Sequence, residues 1–168
     1  MEIRTELPED ATAIHKLNAA AFGRGDEAAL VDALRAVKAL TLSLVAIEEG
    51  RIVGHIAFSP VTIGSEHRTM NAVGLGPMAV APERQQSGIG TQLVETGMAE
   101  LRKLGHTVVV VLGNPEFYSR FGFVSARHFC IHWEIEVPDD VFMIKELSEH
   151  ALQGITGVAK YRPEFNKV

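Results

Sequence analysis

Between Leu75 and Leu104 the chain passes from an apolar extended run, through a glycine turn, into an amphipathic helix. No other stretch restricts the fold as much. Met78-Ala79-Val80-Ala81 is apolar and stops at Pro82, which has no N–H to give to a continuing ladder. A polar turn, Glu83 to Ser87, leads into Gly88-Ile89-Gly90. From Thr91 onward Leu93, Val94, Met98, Leu101 and Leu104 recur at helical spacing, and Gly105 is placed for a left-handed C-cap. A helix that starts on glycines presents unpaired backbone N–H groups and the positive end of its dipole. The missing Cβ atoms let a ligand come close to the backbone. Such a terminus suits a phosphate.

Three glycine-loop chemistries compete for that terminus. A Walker A loop ends in Gly-Lys-Ser/Thr, whereas Gly90 is followed by Thr91-Gln92, so it is excluded. A dinucleotide fingerprint is matched in spacing by Gly74-Leu75-Gly76-Pro77-Met78-Ala79. That match opens a strand instead of a helix, because Pro77 and the run to Pro82 read as extended chain. It leaves a nucleotide-dependent oxidoreductase as the weaker enzyme alternative. The third pattern is Gln/Arg-x-x-Gly-x-Gly/Ala, present as Gln85-Gln86-Ser87-Gly88-Ile89-Gly90 directly after a strand.

The rest of the chain reads as alternating elements. Glu2 to Arg4 is a first strand. Pro8 opens a helix with Ile14, Leu17 and Ala21 on its apolar face. Asp26 caps a second helix carrying Leu30, Val31, Leu34 and Val37. Leu42–Ile47 and Ile52–Val61 are strands joined at Glu49-Gly50, and a third strand ends at Ala81. Val108 to Leu112 is a short buried strand that runs into a short helix near Pro115–Phe121. Phe129–Val137 and Val141–Leu147 are read as two further strands.

The segment after Leu112, Gly113-Asn114-Pro115-Glu116-Phe117-Tyr118-Ser119-Arg120-Phe121-Gly122-Phe123, joins the Gln85–Gly90 turn in one resemblance. Together they resemble the acetyl-CoA signature and the "Asn…Tyr…Gly-Phe" segment of the GNAT superfamily of N-acetyltransferases. The ending, Gly154 to Tyr161, resembles the tail of one bacterial subgroup, so the likeness spans the chain. It implies an α/β (α+β) fold: a mixed, mostly antiparallel sheet flanked by helices and splayed between the fourth and fifth strands. Residues 1–168 would form one N-acetyltransferase domain. The implied reaction moves acetyl from acetyl-CoA to a primary amine of a small molecule or protein, directly, in a ternary complex. By the same resemblance, backbone groups of Met78, Ala79 and Val80 pair with the pantetheine arm like an added strand. Backbone N–H groups of Gln85, Gln86, Ser87, Gly88, Ile89, Gly90 and Thr91 hold the pyrophosphate, and Asn114 touches the cofactor arm. Tyr118 is the catalytic residue implied, a phenol near the sulfur that protonates the departing thiolate. Asn114 as a helix cap and Tyr118 as a packing ring are the plainer alternatives. A CoA-binding sensor or partner-binding module is the alternative to an enzyme.

The remaining chemistry is bounded by composition and spacing. The 168 residues make one domain with room for a core, and 46% hydrophobic with 22% charged residues is ordinary for a globular chain. Net charge is −5 with no clustered basic stripe, against the electrostatic footprint of nucleic-acid binding. No apolar run approaches the roughly 20 residues of a membrane span, and the N-terminus lacks a signal-peptide pattern. One cysteine, Cys130, cannot build an internal disulfide framework. These features point to a cytoplasmic protein, monomer or homodimer. No acid lies between Val73 and Ala81 to serve as a strand-borne base. Glu27, Asp26, His55 and His67 stay open as substitutes, with a water chain as the default. His128-Phe129-Cys130-Ile131-His132 does not make a metal site, since i and i+4 on a strand stand roughly 13 Å apart.

Overall fold

The computed structural model describes residues 1–167. Strand β1 (Glu2–Thr5) is followed by helices α1 (Ala11–Phe22) and α2 (Asp26–Ala36). Strands β2 (Leu42–Glu48), β3 (Arg51–Gly64) and β4 (Thr69–Val80) form an antiparallel run before helix α3 (Ile89–Lys103). Strand β5 (Val108–Leu112) and the short helix α4 (Pro115–Tyr118) come next. Strands β6 (Val124–Ser125), β7 (Ile131–Trp133), β8 (Phe142–Glu146) and β9 (Gly157–Lys160) complete the order. The main path of the sheet is β1-β2-β3-β4-β5-β8-β6, and only β4 and β5 are parallel along it. This is the expected mixed, mostly antiparallel α/β sheet flanked by helices.

Helices cover both faces, which is why β2 is buried along most of its length. Leu44 and Ala46 face Leu93, Val94 and Met98 of α3, while Val45 between them meets Ile14 of α1 and Val31 of α2. A strand sandwiched this way reads as an unbroken apolar run, as Leu42-Ser43-Leu44-Val45-Ala46-Ile47 does. Gly97 lets α3 settle onto the sheet, because a Cβ there would stand 2.6 Å from the ring of Phe58.

The sheet opens at one place, between β4 and β5. These strands pair only at Val73–Val109, Gly74–Val110 and Leu75–Val111. On its other edge β4 slips register against β3, from Phe58↔Leu75 to Ile56↔Met78, so that Gly76 and Pro77 oppose the single residue Ala57. A bulge of this kind bends its strand, and proline has no N–H for a ladder. Met78, Ala79 and Val80 resume pairing with β3 but have left β5. The expected splay between the fourth and fifth strands therefore originates at Gly76-Pro77.

Three local expectations are corrected. Pro8 starts a 3-10 turn, Pro8–Asp10, and α1 begins only at Ala11. There the Asp10 carboxylate accepts from the Leu7 N–H at 2.7 Å and from Arg4 Nη1 at 2.7 Å. Asp26 is the first residue of α2; Gly25 holds the cap position, with no side-chain cap bond. The strand expected over Phe129–Val137 shrinks to Ile131–Trp133, because Ala126–Phe129 coil into a 3-10 turn and Cys130 takes the left-handed φ of 56°. Short-range apolar alternation could not show that the Cys130 N–H closes this turn on the Arg127 carbonyl at 3.0 Å.

Candidate functional site

The glycine turn and the splay each line a cavity, and Met78 belongs to both walls. The first cavity, about 420 Å³, lies over the start of α3. Gly88 caps that helix in the left-handed region, φ 89°, a conformation a side chain would strain. The first intrahelical bond runs from the Gln92 N–H to the Gly88 carbonyl at 3.1 Å. The N–H groups of Ile89, Gly90 and Thr91 therefore have no partner within the helix. Packing does not require glycine at position 90: a Cβ there would find nothing nearer than Met78 Cε at 3.6 Å. A backbone left bare beside a cavity fits an anion that comes close.

Of the residues expected at a cofactor, Met78, Val80, Gln85, Gln86, Gly88, Ile89, Gly90 and Thr91 line this cavity. Ala79 lines neither cavity, its side chain being buried in the core. The Ser87 hydroxyl donates to the carbonyl of Arg84, and the Gln85 amide donates to the carbonyl of Val80 at 3.2 Å. Asn114 lies on neither wall; its Oδ1 accepts from the Glu116 N–H at 2.9 Å and caps α4.

Two arginines flank the turn, and they differ in availability. Arg84 is held by Glu48 through two bonds of 2.8 Å, which neutralise it and raise its pKa. Arg120 makes no ion pair among the described residues. Its guanidinium lies 5.0 Å from the centroid of Phe117 and 5.4 Å from that of Phe121, and it donates to Thr91 Oγ1 at 2.8 Å. Arg120 stands within the Gly113–Phe123 segment, where nothing in its residue type alone marks it for a ligand. Its place was encoded by spacing: two residues after Tyr118 on a tight turn, it comes over the N-terminus of α3.

The second cavity, about 380 Å³, fills the splay. Leu75, Gly76 and Pro77 of β4 form one side, Val111 and Leu112 of β5 another, and Phe22, Arg24, Glu27 and Leu30 come from the early helices. Tyr118 stands on this wall, only 8% exposed, with edge-to-face contacts to Phe117 at 4.9 Å and Phe123 at 5.7 Å. Gly113 gives its ring room, since a Cβ there would lie 2.9 Å from Tyr118 Cδ2 and closer still to Cε2. Burial pushes the phenol up to about 12, so it carries its proton throughout the neutral range.

The structure separates the four candidate bases. His55 is shut inside the sheet, bonded to Ser43 Oγ at 2.9 Å and to Asn18 Nδ2 at 3.2 Å, and burial lowers its pKa to about 4. His67 lies exposed on the turn between β3 and β4, and Asp26 is exposed, 3.5 Å from Arg24. Glu27 alone reaches the cavity. Its carboxylate takes Arg24 Nε at 3.1 Å and Nη2 at 2.5 Å, and that bonding lowers its pKa despite burial. A carboxylate held ionised this firmly is a weak base and a good anchor for an ammonium. Among the described residues no group of three His, Cys, Asp or Glu could hold a metal ion, and no helix is long and apolar enough to cross a membrane.

The chain is similar to known proteins in sequence and in fold. The acetyltransferase (GNAT) domain family matches residues 2–126. The N-acetyltransferase YhbS of Escherichia coli is 39% identical over 168 residues, covering 99% of each chain. The crystal structure of Escherichia coli YhbS in complex with CoA superposes with a TM-score of 0.92 at 38% identity, over 98% of this chain and 91% of that one. A GNAT-family acetyltransferase from Brucella melitensis, solved with acetyl-CoA, gives a TM-score of 0.81 at 40% identity, over 98% and 97% of the two chains.

Proposed function

Because the chain belongs to the GNAT acetyltransferase family, we propose that it moves acetyl from acetyl-CoA to a primary amine by direct transfer. One observation carries the reading most. The strands part at Gly76-Pro77 so that a cavity over bare helix amides and a cavity bearing a buried phenol share the wall residue Met78. Acetyl-CoA supplies an acetyl thioester, and the amides of Ile89, Gly90 and Thr91 with Arg120 are the donors suited to its diphosphate. The edge of β4 at Met78–Val80 that faces away from β3 has no strand partner among the described residues, and it suits the amides of a pantetheine arm.

Acceptor and phenol meet in the second cavity. The Glu27 carboxylate draws an ammonium, whose proton must leave to water before attack, since an alkyl ammonium has a pKa near ~10.4. The amine nitrogen then bonds to the acetyl carbon and gives up a second proton to water, the carbon–sulfur bond breaks, and the sulfur departs with its electron pair as a thiolate. Tyr118 donates a hydrogen bond to the charge that develops there. Both substrates are present at once, so no acetylated side chain is needed.

The test joins binding to turnover. Acetyl-CoA should raise the melting temperature through mass action on the folded state. Screening primary amines, small molecules and protein N-termini for acetyl-CoA-dependent thiol release should find an acceptor. A melting temperature raised by NAD and not by acetyl-CoA would overturn the assignment. Tight acetyl-CoA binding with no turnover on any amine would leave a sensor.

A further inference from the structure

The walls of the splay cavity discriminate among amines, an inference that rests on the transferase reading. Among the described residues Arg24 and Glu27 are the only charged ones on them, and they are paired with each other. A polycation would therefore find a single carboxylate, already shared with Arg24, for its several charges. Most of the remaining surface is apolar or aromatic: Phe22, Leu30, Leu75, Leu112 and Phe165 are among its residues. The volume of about 380 Å³ is near the small end of the ~300–1,000 Å³ typical of ligand sites.

Two residues of that wall carry polar atoms without partners. Trp133 Nε1 and Tyr161 Oη are both buried, with less than 1 Å² of surface each, and neither has a hydrogen bond among the described residues. Their rings are in edge contact, with centroids 5.8 Å apart. An indole N–H can only donate, and a phenol with no acceptor nearby also has a proton to give. Native interiors rarely leave two such donors unmade side by side, because each costs free energy while it stays unpaired. A ligand oxygen that displaces the wall enough to reach them would satisfy them. Both residues arrive from the far end of the sequence, on β7 and just after β9, to stand against the bulged part of β4. Gly74 makes space for the Tyr161 ring, since a Cβ there would lie 2.9 Å from Tyr161 Cε2.

We propose that the acetyl acceptor is a compact monoamine with an aromatic or branched apolar body and a neutral carbonyl oxygen. Its ammonium goes to Glu27 and its oxygen to Trp133 and Tyr161. Three probes separate this class from its competitors at saturating acetyl-CoA: phenylalaninamide, 2-phenylethylamine, which lacks the carbonyl, and spermidine, a polycation. We expect kcat/KM to fall in that order, with at least about tenfold between the first and the last, the scale of a missing hydrogen bond joined to a misplaced charge. Trp133 is the sole tryptophan, so its fluorescence reports acceptor binding to the CoA-loaded protein without any turnover. Tyr161→Phe should lower the preference for phenylalaninamide over 2-phenylethylamine by about fivefold, one neutral hydrogen bond. The same variant should melt no lower than the parent, because the hydroxyl it loses has no partner. A merely structural tyrosine would show the reverse: a lower melting temperature and an unchanged preference. Spermidine turned over as well as phenylalaninamide overturns the proposal. So does turnover of other amines with none of the aromatic pair, which leaves the transferase reading standing. Silence with every amine overturns both.

Discussion

Replacing Tyr118 by Phe tests the chemistry with little disturbance to the fold. The phenol sits at about 12 because it is buried, while an alkyl thiol has a pKa of roughly 8.5. Complete proton transfer from this phenol to a departing thiolate is then uphill by about 3.5 units, or about 5 kcal/mol. In the proposed mechanism the phenol therefore works as a hydrogen-bond donor to the developing sulfur charge more than as a source of a free proton. Charge-assisted bonds contribute about 1.5–3 kcal/mol, which corresponds to roughly 10- to 10²-fold in kcat. The hydroxyl makes no hydrogen bond within the described chain, and the ring keeps its contacts to Phe117 and Phe123 in the variant. Stability should therefore stay within about 0.5 kcal/mol, or ~1–2 °C in melting temperature for a domain of this size. Thiol release measured against pH adds a second check. With its pKa raised to about 12, Tyr118 cannot titrate below pH ~10, so it should contribute no alkaline limb there. Unchanged turnover in Tyr118→Phe would remove the phenol from the mechanism. A limb near pH 9 that vanishes in the variant would refute the elevated pKa, and a melting temperature many degrees lower would mark a packing role.

Gly90→Glu fills the bare backbone over the first cavity and sets a carboxylate where a diphosphate belongs. Acetyl-CoA affinity should fall more than about tenfold by calorimetry, while the melting temperature holds, because an acid suits the first turn of a helix; equal losses in both would mean the glycine is structural. Arg120→Gln removes the unpaired cation beside Thr91 and should raise KM for acetyl-CoA about tenfold, flatten its dependence on salt and move kcat much less. A fall in kcat alone would count against that role. His55 gives a pH prediction with a definite sign. Its folded pKa is lowered to about 4 by burial, against 6.5 when exposed, so the unfolded chain binds the proton first as pH drops. The stability it supports is complete above pH 6.5 and is lost towards pH 4, by roughly 3 kcal/mol. Urea melts at pH 7.5 and 4.5 should show that slope in the parent and a shallower one in His55→Gln; equal slopes would place the acid sensitivity elsewhere.

The strand, glycine turn and helix from Met78 to Lys103 were legible in the sequence because their causes are local. Helical spacing, a proline that ends a strand and glycines that free helix amides all act within a few residues. The same holds for β5 and the turn that carries Tyr118. Side-chain duties were less legible where one residue type serves two purposes. Asn114 matched a cofactor contact and is seen as the cap of α4, and His55 was a candidate base but lies bonded to Ser43 and Asn18 in the core.

Other features exist only once distant segments pack. Gly76-Pro77 becomes the opening of the sheet because β3 and β5 hold β4 on either edge up to Leu75, and a bulge needs a partner strand to slip against. The splay cavity gathers Glu27 from α2, Tyr118 from α4, Trp133 from β7 and Tyr161 after β9, residues spread over most of the chain. The pairing of β9 with Thr62–Gly64 of β3 brings the last of them into place. The periodicity of a single segment carries no record of which remote segment will cover it. The sequence alone thus marked a helix terminus suited to an anion, and only the tertiary structure assembled the cavity from which an acceptor is proposed.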